Sequence, residues 1–325
     1  MSEPIHIIEW HGEDRFVEDE PGRFVIIGFG RNACGQTCSV SFDHLPSFLV
    51  RSAEHSLEGV LRAVTEIFGE DVHESSGTVH GKPFTKWQDH TEPFMRLVFT
   101  SKRAARYAAE LFREPTLKGR AMIHCPPWFL KARLQYETYE ADADPLLEAL
   151  TTRGIPTTGW VTCDGQVKNP TAHQSRCEMH FTGAPVPLHD DDVPEQSAPH
   201  IIATFDIEVF SSRSTWEDSI FPDANIPGDV VTQIVTFFSK FGESEPCDAI
   251  ALVLLGPGGK APDINTVMSG SVPVRVQYFE REAALLRAWV KAYSAYTVSV
   301  WQHFNGLVGW QRTSSFKPGL NHQRG

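Results

Sequence analysis

Two acidic residues one position apart stand in an apolar, strand-like segment of the chain. Asp206 and Glu208 follow the run IIAT at residues 201–204. Because side chains along a strand alternate between its faces, both carboxylates are predicted to lie on one face of a sheet. Two like charges there repel each other and resist the loss of hydration. Hard carboxylate oxygens suit Mg²⁺ or Mn²⁺, so the pair predicts a divalent-cation site.

The chemistry expected of such a site is phosphodiester hydrolysis. Two ions about 3.5–4 Å apart activate a water molecule and stabilise the leaving alkoxide. Asp206 and Glu208 are then both metal ligands and catalytic residues. The simpler interpretation is a strand edge whose acids face solvent. The apolar strand and the turn-rich segment after it, residues 216–229, strengthen the metal site as an alternative but do not decide between the two interpretations.

Other groupings predict less. Four residues could be assembled into a zinc site, although their spacing lacks the paired C-x2-C of common zinc folds: Cys163, His173, Cys177 and His180. Residues 256–260 (GPGGK) lack the spacing of a phosphate-binding loop and predict a hairpin turn. Residues 189–192 (HDDD) are interpreted as a solvated charge run. Four aromatic residues could stack on single-stranded bases, but core packing is favoured: Trp87, Trp128, Phe129 and Trp160.

The elements that would position the acids are predicted by hydrophobic periodicity. Residues 1–20 are polar and acidic and are expected to form a loose leader. In the first half, strands alternate with helices whose N-caps are Ser56 and Ser101. A Pro- and Asp-rich segment, residues 184–199, is expected to be a linker. Strands are predicted after it over 200–205, with Asp206 and Glu208 at the end of the strand, and over 230–238, 249–255 and 274–279, followed by a helix over 280–296.

Composition excludes several classes of protein. The 325 residues carry 29 basic and 41 acidic side chains, a net charge of −12, which argues against a protein that coats nucleic acid with a basic surface. No apolar run reaches the roughly 18–20 residues of a membrane span. The N-terminus lacks the basic region of a secretory signal. Six scattered cysteines fit reduced thiols, so an intracellular location is expected.

Several segments together resemble family B DNA polymerases of the delta-like and large-DNA-virus type. The segment IIATFDIE (201–208), then Phe221-Pro222 and DVVTQI (229–234), is similar to the family's first exonuclease motif. Further similar blocks are YETYE (136–140), DPLL (144–147), GIPTTGWV (154–161) and YFEREAALL (278–286). The combination in this order is far more specific than D-x-E alone.

The resemblance implies a mixed α/β (α+β) fold, a β-rich N-terminal module followed by an incomplete RNase H-like exonuclease domain. The domain boundaries expected are 21–183 for the first, 184–199 for the linker, 200–310 for the second, and 311–325 for a tail without counterpart. The implied activity is proofreading, the 3′→5′ removal of mispaired nucleotides during DNA replication, with Mg²⁺ or Mn²⁺ held by Asp206 and Glu208. The implied partners are a single-stranded DNA 3′ end or primer–template DNA, and other polymerase subunits, in the nucleus or at a viral replication site.

The sequence also departs from the family pattern. After Phe304-Asn305, Trp310 occupies the place of the second motif's metal-binding Asp. The third motif, Tyr-x-x-x-Asp, and the polymerase signatures do not occur, as in a truncated polymerase. The two-ion site is therefore expected to be incomplete, with weak or no catalysis. Two alternatives stay open: a catalytically inactive module that binds DNA or a partner through residues 20–195, and a gene product without a function of its own.

Overall fold

A computed structural model describes most of the chain: residues 3–16, 21–51, 56–82, 91–114, 116–167, 177–188, 192–194, 196–215, 218, 220–256, 258–296 and 298–303. The chain divides into two units. The first comprises Met1–Asn32 and Gln36–Glu195, and the second comprises Ala33–Gly35 and Gln196–Gly325. Among the described residues, no helix is long and apolar enough to cross a bilayer.

The first unit contains eleven strands, five α-helices and two short 3-10 helices among its described residues. Its strands are β1 (Glu3–Arg15), β2 (Arg23–Asn32), β3 (Thr37–His44), β4 (Ser47–Arg51), β5 (Gly77–Gly81), β6 (Glu92–Val98), β7 (Glu137–Tyr139), β8 (Gly159–Cys163), β9 (Gln166–Val167), β10 (Met179–Thr182) and β11 (Val186–Pro187). Its helices are α1 (Leu57–Phe68), α2 (Lys102–Leu111), α3 (Arg120–His124), α4 (Pro127–Ala132) and α5 (Pro145–Thr152). They form a seven-stranded sheet, β11-β8-β1-β2-β3-β10-β9, and a four-stranded sheet, β5-β6-β4-β7.

The predicted caps and the first hairpin are confirmed. The Ser56 hydroxyl accepts the N–H of Gly59 at 3.3 Å at the start of α1. Ser101 does the same for Ala104 at 3.2 Å at the start of α2. Each hydroxyl satisfies one of the N–H groups that a helix leaves without an internal partner. β2 and β3 pair antiparallel, from Phe24 opposite His44 onwards, as the alternating pattern predicts.

Two segments expected to be irregular belong to the seven-stranded sheet. Residues 3–15 of the expected leader form β1, which pairs with β2 and β8, and Ile5 and Ile7 are fully buried. The prediction was wrong because the segment's polar average hides an apolar alternation that one face of a sheet can bury. Within the expected linker, Val186–Pro187 pairs with β8 as an edge strand, where a proline costs no ladder bond.

The second unit is one six-stranded mixed sheet with a helix. Its elements are β12 (Ile201–Phe210), β13 (Val230–Lys240), β14 (Asp248–Leu254), β15 (Thr266–Ser269), β16 (Val272–Phe279), α6 (Glu282–Tyr296) and β17 (Val300–His303). The strand order is β15-β16-β14-β13-β12-β17, with β14–β16 and β12–β17 parallel and the other pairs antiparallel. The four predicted strands and the helix are present, and the sequence missed β15 and β17. The whole is the strand-rich α+β architecture that the sequence predicts.

The helix α6 covers one face of this sheet. The core on that face is formed by Ala203, Ile234, Phe238, Ile250, Leu252 and Leu285, all buried. A smaller buried cluster on the sheet comprises Ala249, Ala251 and Val274. Val235 of β13 packs against this second cluster, whereas its neighbour Ile234 belongs to the core beneath α6. Because consecutive side chains of a strand point to opposite faces, the second cluster lies on the face away from α6. The two faces of β12 are therefore chemically different, which decides where its acids lie.

Candidate functional site

Asp206 and Glu208 lie on the face of β12 that α6 leaves uncovered. In the antiparallel register with β13, Asp206 is opposite Val235 and Glu208 is opposite Gln233. The intervening Phe205 and Ile207 are on the helix-covered face, where Phe205 is 3% exposed. Two residues along a strand are about 6.6 Å apart, so the two carboxylates can approach a common ligand.

The two acids differ in exposure. Asp206 is half-buried, and its Oδ1 accepts the N–H of Ile207 at 3.1 Å. Glu208 is exposed, as are Val209 and Phe210 after it. The pair thus lies where β12 passes from the packed sheet into solvent, so a ligand can reach both side chains.

A β-bulge follows Glu208 directly. The register with β13 shifts between Glu208 and Val209, so that Val209 is opposite Val231. Thr232 donates its hydroxyl to the Glu208 carbonyl at 3.0 Å, and Glu282 at the start of α6 accepts the Val231 N–H at 2.8 Å. Bulges re-aim side chains and end pairing, so these two contacts fix the direction in which the strand leaves the sheet. Sequence reasoning missed both residues because their role depends on the register.

The helix-covered side of β12 is anchored by aromatic contacts. The Phe205 ring lies 5.2 Å from the Trp289 ring and 6.4 Å from the Tyr293 ring, in edge-on geometry. Trp289 donates its indole N–H to the hydroxyl of Thr236 on β13 at 3.2 Å. Thr236 is fully buried, and it lies opposite Phe205. These contacts with α6 fix the position of the strand that carries Asp206.

Asp229 organises the segment between β12 and β13. Its side chain is 1% exposed and accepts hydrogen bonds from the Asp223 N–H, the Ser212 N–H and hydroxyl, the Ser211 hydroxyl and the Arg213 guanidinium. The distances are between 2.7 and 3.3 Å. These donors, with the Asp223 N–H foremost, hold the pKa of the Asp229 carboxyl well below its usual value. This carboxylate is therefore structural, and it closes the loop beside the acidic pair.

The donor set at Asp206 and Glu208 is of the kind that a hard divalent cation takes, two carboxylates on a partly solvated face. In the described part of the chain, no group of three or more His, Cys, Asp or Glu side chains is placed to hold a metal. The expected second motif, residues 304–310, lies outside the described residues, as does the tail 311–325. Among the described residues, these two carboxylates are therefore the candidate ligands on this face of β12.

The alternative metal and phosphate sites gain no support. His173 lies outside the described residues, and Cys163 is buried in the core. His180 is buried with its Nδ1 2.7 Å from the Ser39 hydroxyl. At residues 256–260 the Gly259 N–H donates to the Gly256 carbonyl at 2.8 Å, so a turn is present. It is no hairpin, because β14 pairs with β16 rather than with the next strand.

The aromatic residues singled out in the sequence do not behave alike. Phe129 is fully buried and Trp160 is 7% exposed, as expected for core residues. Trp128 is 47% exposed, so for this residue the prediction of core packing was wrong. The centre of its ring lies 5.6 Å from that of Phe129, and the ring also lies close to Gly59 of α1. Trp87 and the charge run His189-Asp190-Asp191 lie outside the described residues.

Comparison with known proteins gives three findings. A family model described as "DNA polymerase family B, exonuclease domain" matches residues 136–307, just over half of the chain. A DNA polymerase of Paramecium bursaria Chlorella virus NY2A is 26% identical over 247 residues, which is 73% of this chain and 24% of that polymerase. The structure of the family B DNA polymerase from the hyperthermophilic archaeon Pyrobaculum calidifontis is similar with a TM-score of 0.58 and 14% identity, over 93% of this chain and 31% of that one. The chain spans about a quarter of the viral polymerase that it matches.

Proposed function

Since this chain belongs to DNA polymerase family B through its exonuclease domain, we propose that it carries a 3′→5′ exonuclease site whose ligands are Asp206 and Glu208. The observation that carries the proposal is the placement of these acids. They lie side by side on the uncovered face of β12, immediately before a bulge, while α6 packs on the other face. The family match includes this strand.

The chain's own residues would contribute position and charge. The contacts of Phe205 with α6 hold the strand, and the bonds of Thr232 and Glu282 at the bulge fix where Glu208 leaves the sheet. Asp206 and Glu208 would hold Mg²⁺ or Mn²⁺, which, when bound, supplies activation of water and stabilisation of the leaving oxygen. The expected substrate is the 3′ end of single-stranded DNA or of a primer on its template.

The second half of the site is where this chain differs from the family pattern. Trp310 stands in the sequence at the place of a third carboxylate ligand. An indole ring offers no oxygen to a cation, so the affinity for the second ion should be low. We therefore propose an RNase H-like domain over residues 200–310 with weak hydrolytic activity, following a β-rich module that includes β1.

The test is degradation of a 5′-labelled single-stranded oligonucleotide in Mg²⁺ or Mn²⁺. The wild-type chain should shorten it from the 3′ end, and Asp206→Ala should lower the rate by about 100-fold or more, the order found when a transition-state-stabilising group is removed. Asp263→Asn is the matched control, because Asp263 is an exposed acid of the same unit outside the pair. Its rate should equal that of the wild type.

The result that would contradict the proposal is a wild-type rate no higher than that of Asp206→Ala. The alternative function, a catalytically inactive DNA-binding module, would then be tested by the affinity for the same oligonucleotide. That function predicts equal affinity in the wild type and in Asp206→Ala, without degradation by either.

A further inference from the structure

Large apolar side chains are exposed close together on the helices α3 and α4 of the first unit and on the turn that follows them. Five such residues occur between positions 122 and 134, and Ile123 is 79% exposed. We call this group the α3–α4 surface, and its members are Met122, Ile123, Trp128, Leu130 and Leu134. Exposed apolar side chains that are concentrated in this way mark interaction sites more often than scattered single ones do.

The opposite side of the same segment is packed into the core of the unit. Its members are buried in that core or packed against it: Leu117, Ala121, Cys125, Phe129, Ala132 and Tyr136. A helical segment at a protein surface ordinarily has polar residues on the side away from the core. The helix α1 follows this rule, because its exposed residues are Glu58, Arg62, Thr65 and Glu66. The segment of α3 and α4 is instead apolar on both sides, as expected if its outer side is covered by a partner.

The indole of Trp128 is held in place by the first unit itself. A Cβ atom at Gly59 of α1 would lie 3.1 Å from the Cη2 atom of the indole, so the ring uses the space that a side chain at position 59 would need. The Trp128 ring also lies edge-on to buried Phe129. A large side chain that is fixed before binding loses little conformational entropy when a partner covers it.

The charge of the segment limits the kind of partner. Residues 116–136 contain no aspartate or glutamate, although 41 of the 325 residues of the chain are acidic. Lys118 and Lys131 are exposed there. A partner with acidic residues around an apolar face would complement this surface. A second copy of the chain that used the same surface would bring two basic, acid-free surfaces together, so it is disfavoured.

The residue types favour a protein over a nucleic acid. Single-stranded nucleic acid is bound by successive aromatic side chains in a positively charged groove. Four of the five residues of the α3–α4 surface are aliphatic or methionine, and Trp128 is its one aromatic member. Methionine and tryptophan are enriched at the centres of protein interfaces, and the flexible methionine side chain adapts to a partner.

We propose that the α3–α4 surface binds an acidic amphipathic helix of another protein. The apolar face of that helix covers Ile123, Trp128 and Leu130, and its acidic residues lie near Lys118 and Lys131. Helices that bind in this way present apolar residues at positions i, i+3, i+4 and i+7. The interaction is separate from the proposed nuclease site and does not depend on it.

The test uses the full chain and a fluorescein-labelled model peptide of about 18 residues, or about five helical turns. Leucine occupies the positions i, i+3, i+4 and i+7 of the peptide, and glutamate or alanine occupies the others. Fluorescence anisotropy at constant ionic strength should show saturable binding of this peptide. The same peptide with lysine in place of glutamate should bind at least tenfold more weakly, because its charge is that of the surface.

Variants of the chain locate the binding. Ile123→Ser and Trp128→Ser should each weaken binding of the acidic peptide by about tenfold, as expected for residues at the centre of an interface. Leu147→Ser is the matched control, because Leu147 is an exposed leucine of α5 in the same unit, and it should bind as the wild type does. Lys131→Glu should weaken binding of the acidic peptide by about fivefold, the upper end for an exposed ion pair, and strengthen binding of the lysine peptide. Ile123 contributes little to the core, so Ile123→Ser keeps the test valid if Trp128→Ser does not fold.

Three results would overturn the proposal. The first is absence of acidic-peptide binding by the wild type, and the second is an equal loss of affinity in Leu147→Ser and in the variants of the surface. The third is binding of an oligothymidylate or of anionic phospholipid vesicles that Ile123→Ser and Trp128→Ser abolish, without binding of the acidic peptide. Asp206→Ala should bind the acidic peptide as the wild type does, which separates this surface from the nuclease site.

Discussion

Replacing Thr236 by valine tests whether the contact between α6 and the sheet stabilises the strand that carries Asp206 and Glu208. The two side chains have nearly the same shape, so the change removes only the hydroxyl that accepts the Trp289 N–H at 3.2 Å. Leaving a buried donor without a partner costs about 1–3 kcal/mol. Thr236 is fully buried while Trp289 is only half-buried, so water can reach part of the indole. A loss of about 1–2 kcal/mol is therefore expected.

Equilibrium urea unfolding, combined with amide hydrogen exchange of β12 and β13, measures this loss. A double-mutant cycle with Trp289→Phe isolates the hydrogen bond, because phenylalanine keeps a ring beside Phe205 but lacks the N–H. The coupling should be about 1 kcal/mol. Thr266→Val, at an exposed position in β15, is the control and should change stability by less than about 0.5 kcal/mol. A coupling near zero, with unchanged exchange in β12, would refute the anchoring argument.

The remaining predictions concern the loop, the first sheet and the thiols. Asp229→Asn should speed amide exchange over residues 211–228, because the neutral amide is a poorer acceptor for the five hydrogen bonds; unchanged exchange would show that the carboxylate does not close the loop. The pKa of Asp229 is lowered in the folded chain, so the stabilisation of the loop by its carboxylate is fully present above the ordinary aspartate pKa. This stabilisation should decline as the pH falls below about 4. Amide exchange over residues 211–228, measured at decreasing pH and corrected for the intrinsic rate, should therefore become faster. Gly30→Ala should destabilise the first unit by about 1–3 kcal/mol, because a Cβ there would overlap a backbone oxygen of β1. In Gly77→Ala, the control, the added Cβ meets open space. In urea unfolding, the midpoint of Gly77→Ala should equal that of the wild type and the midpoint of Gly30→Ala should be lower. Burial raises the pKa of the Cys38 and Cys163 thiols to about 12. Maleimide labelling of the folded chain at pH 8, followed by peptide mass mapping, should therefore find both cysteines unmodified. Rapid labelling of either cysteine would contradict its burial in the core.

The sequence predicted the second unit well because its strands are apolar enough to be recognised alone. The strand that carries Asp206 and the helix α6 both lie within a few residues of their predicted bounds. The strand β17 was missed because Val300–His303 is short and its pairing partner, β12, is distant in sequence. Such pairing depends on partners distant in sequence, which no local pattern contains.

The first unit shows the opposite case. β1 was expected to be a leader because its residues are polar on average, yet Ile5 and Ile7 are fully buried against the rest of the sheet. Likewise, the opposition of Arg15 and Arg23 follows from the register of a hairpin whose first strand was not predicted. Residue types alone could suggest the acidic pair, but which residues lie opposite each other on neighbouring strands required the structure.

The most direct test of the central proposal is calorimetric titration of the chain with Mn²⁺. The proposal predicts binding of Mn²⁺ to the wild type that is lost in Asp206→Asn and in Glu208→Gln, because each change removes a carboxylate ligand. Glu243→Gln, at an exposed glutamate of the same unit, is the control and should bind as the wild type does. Identical Mn²⁺ binding by all four proteins would contradict the claim that Asp206 and Glu208 share a divalent cation.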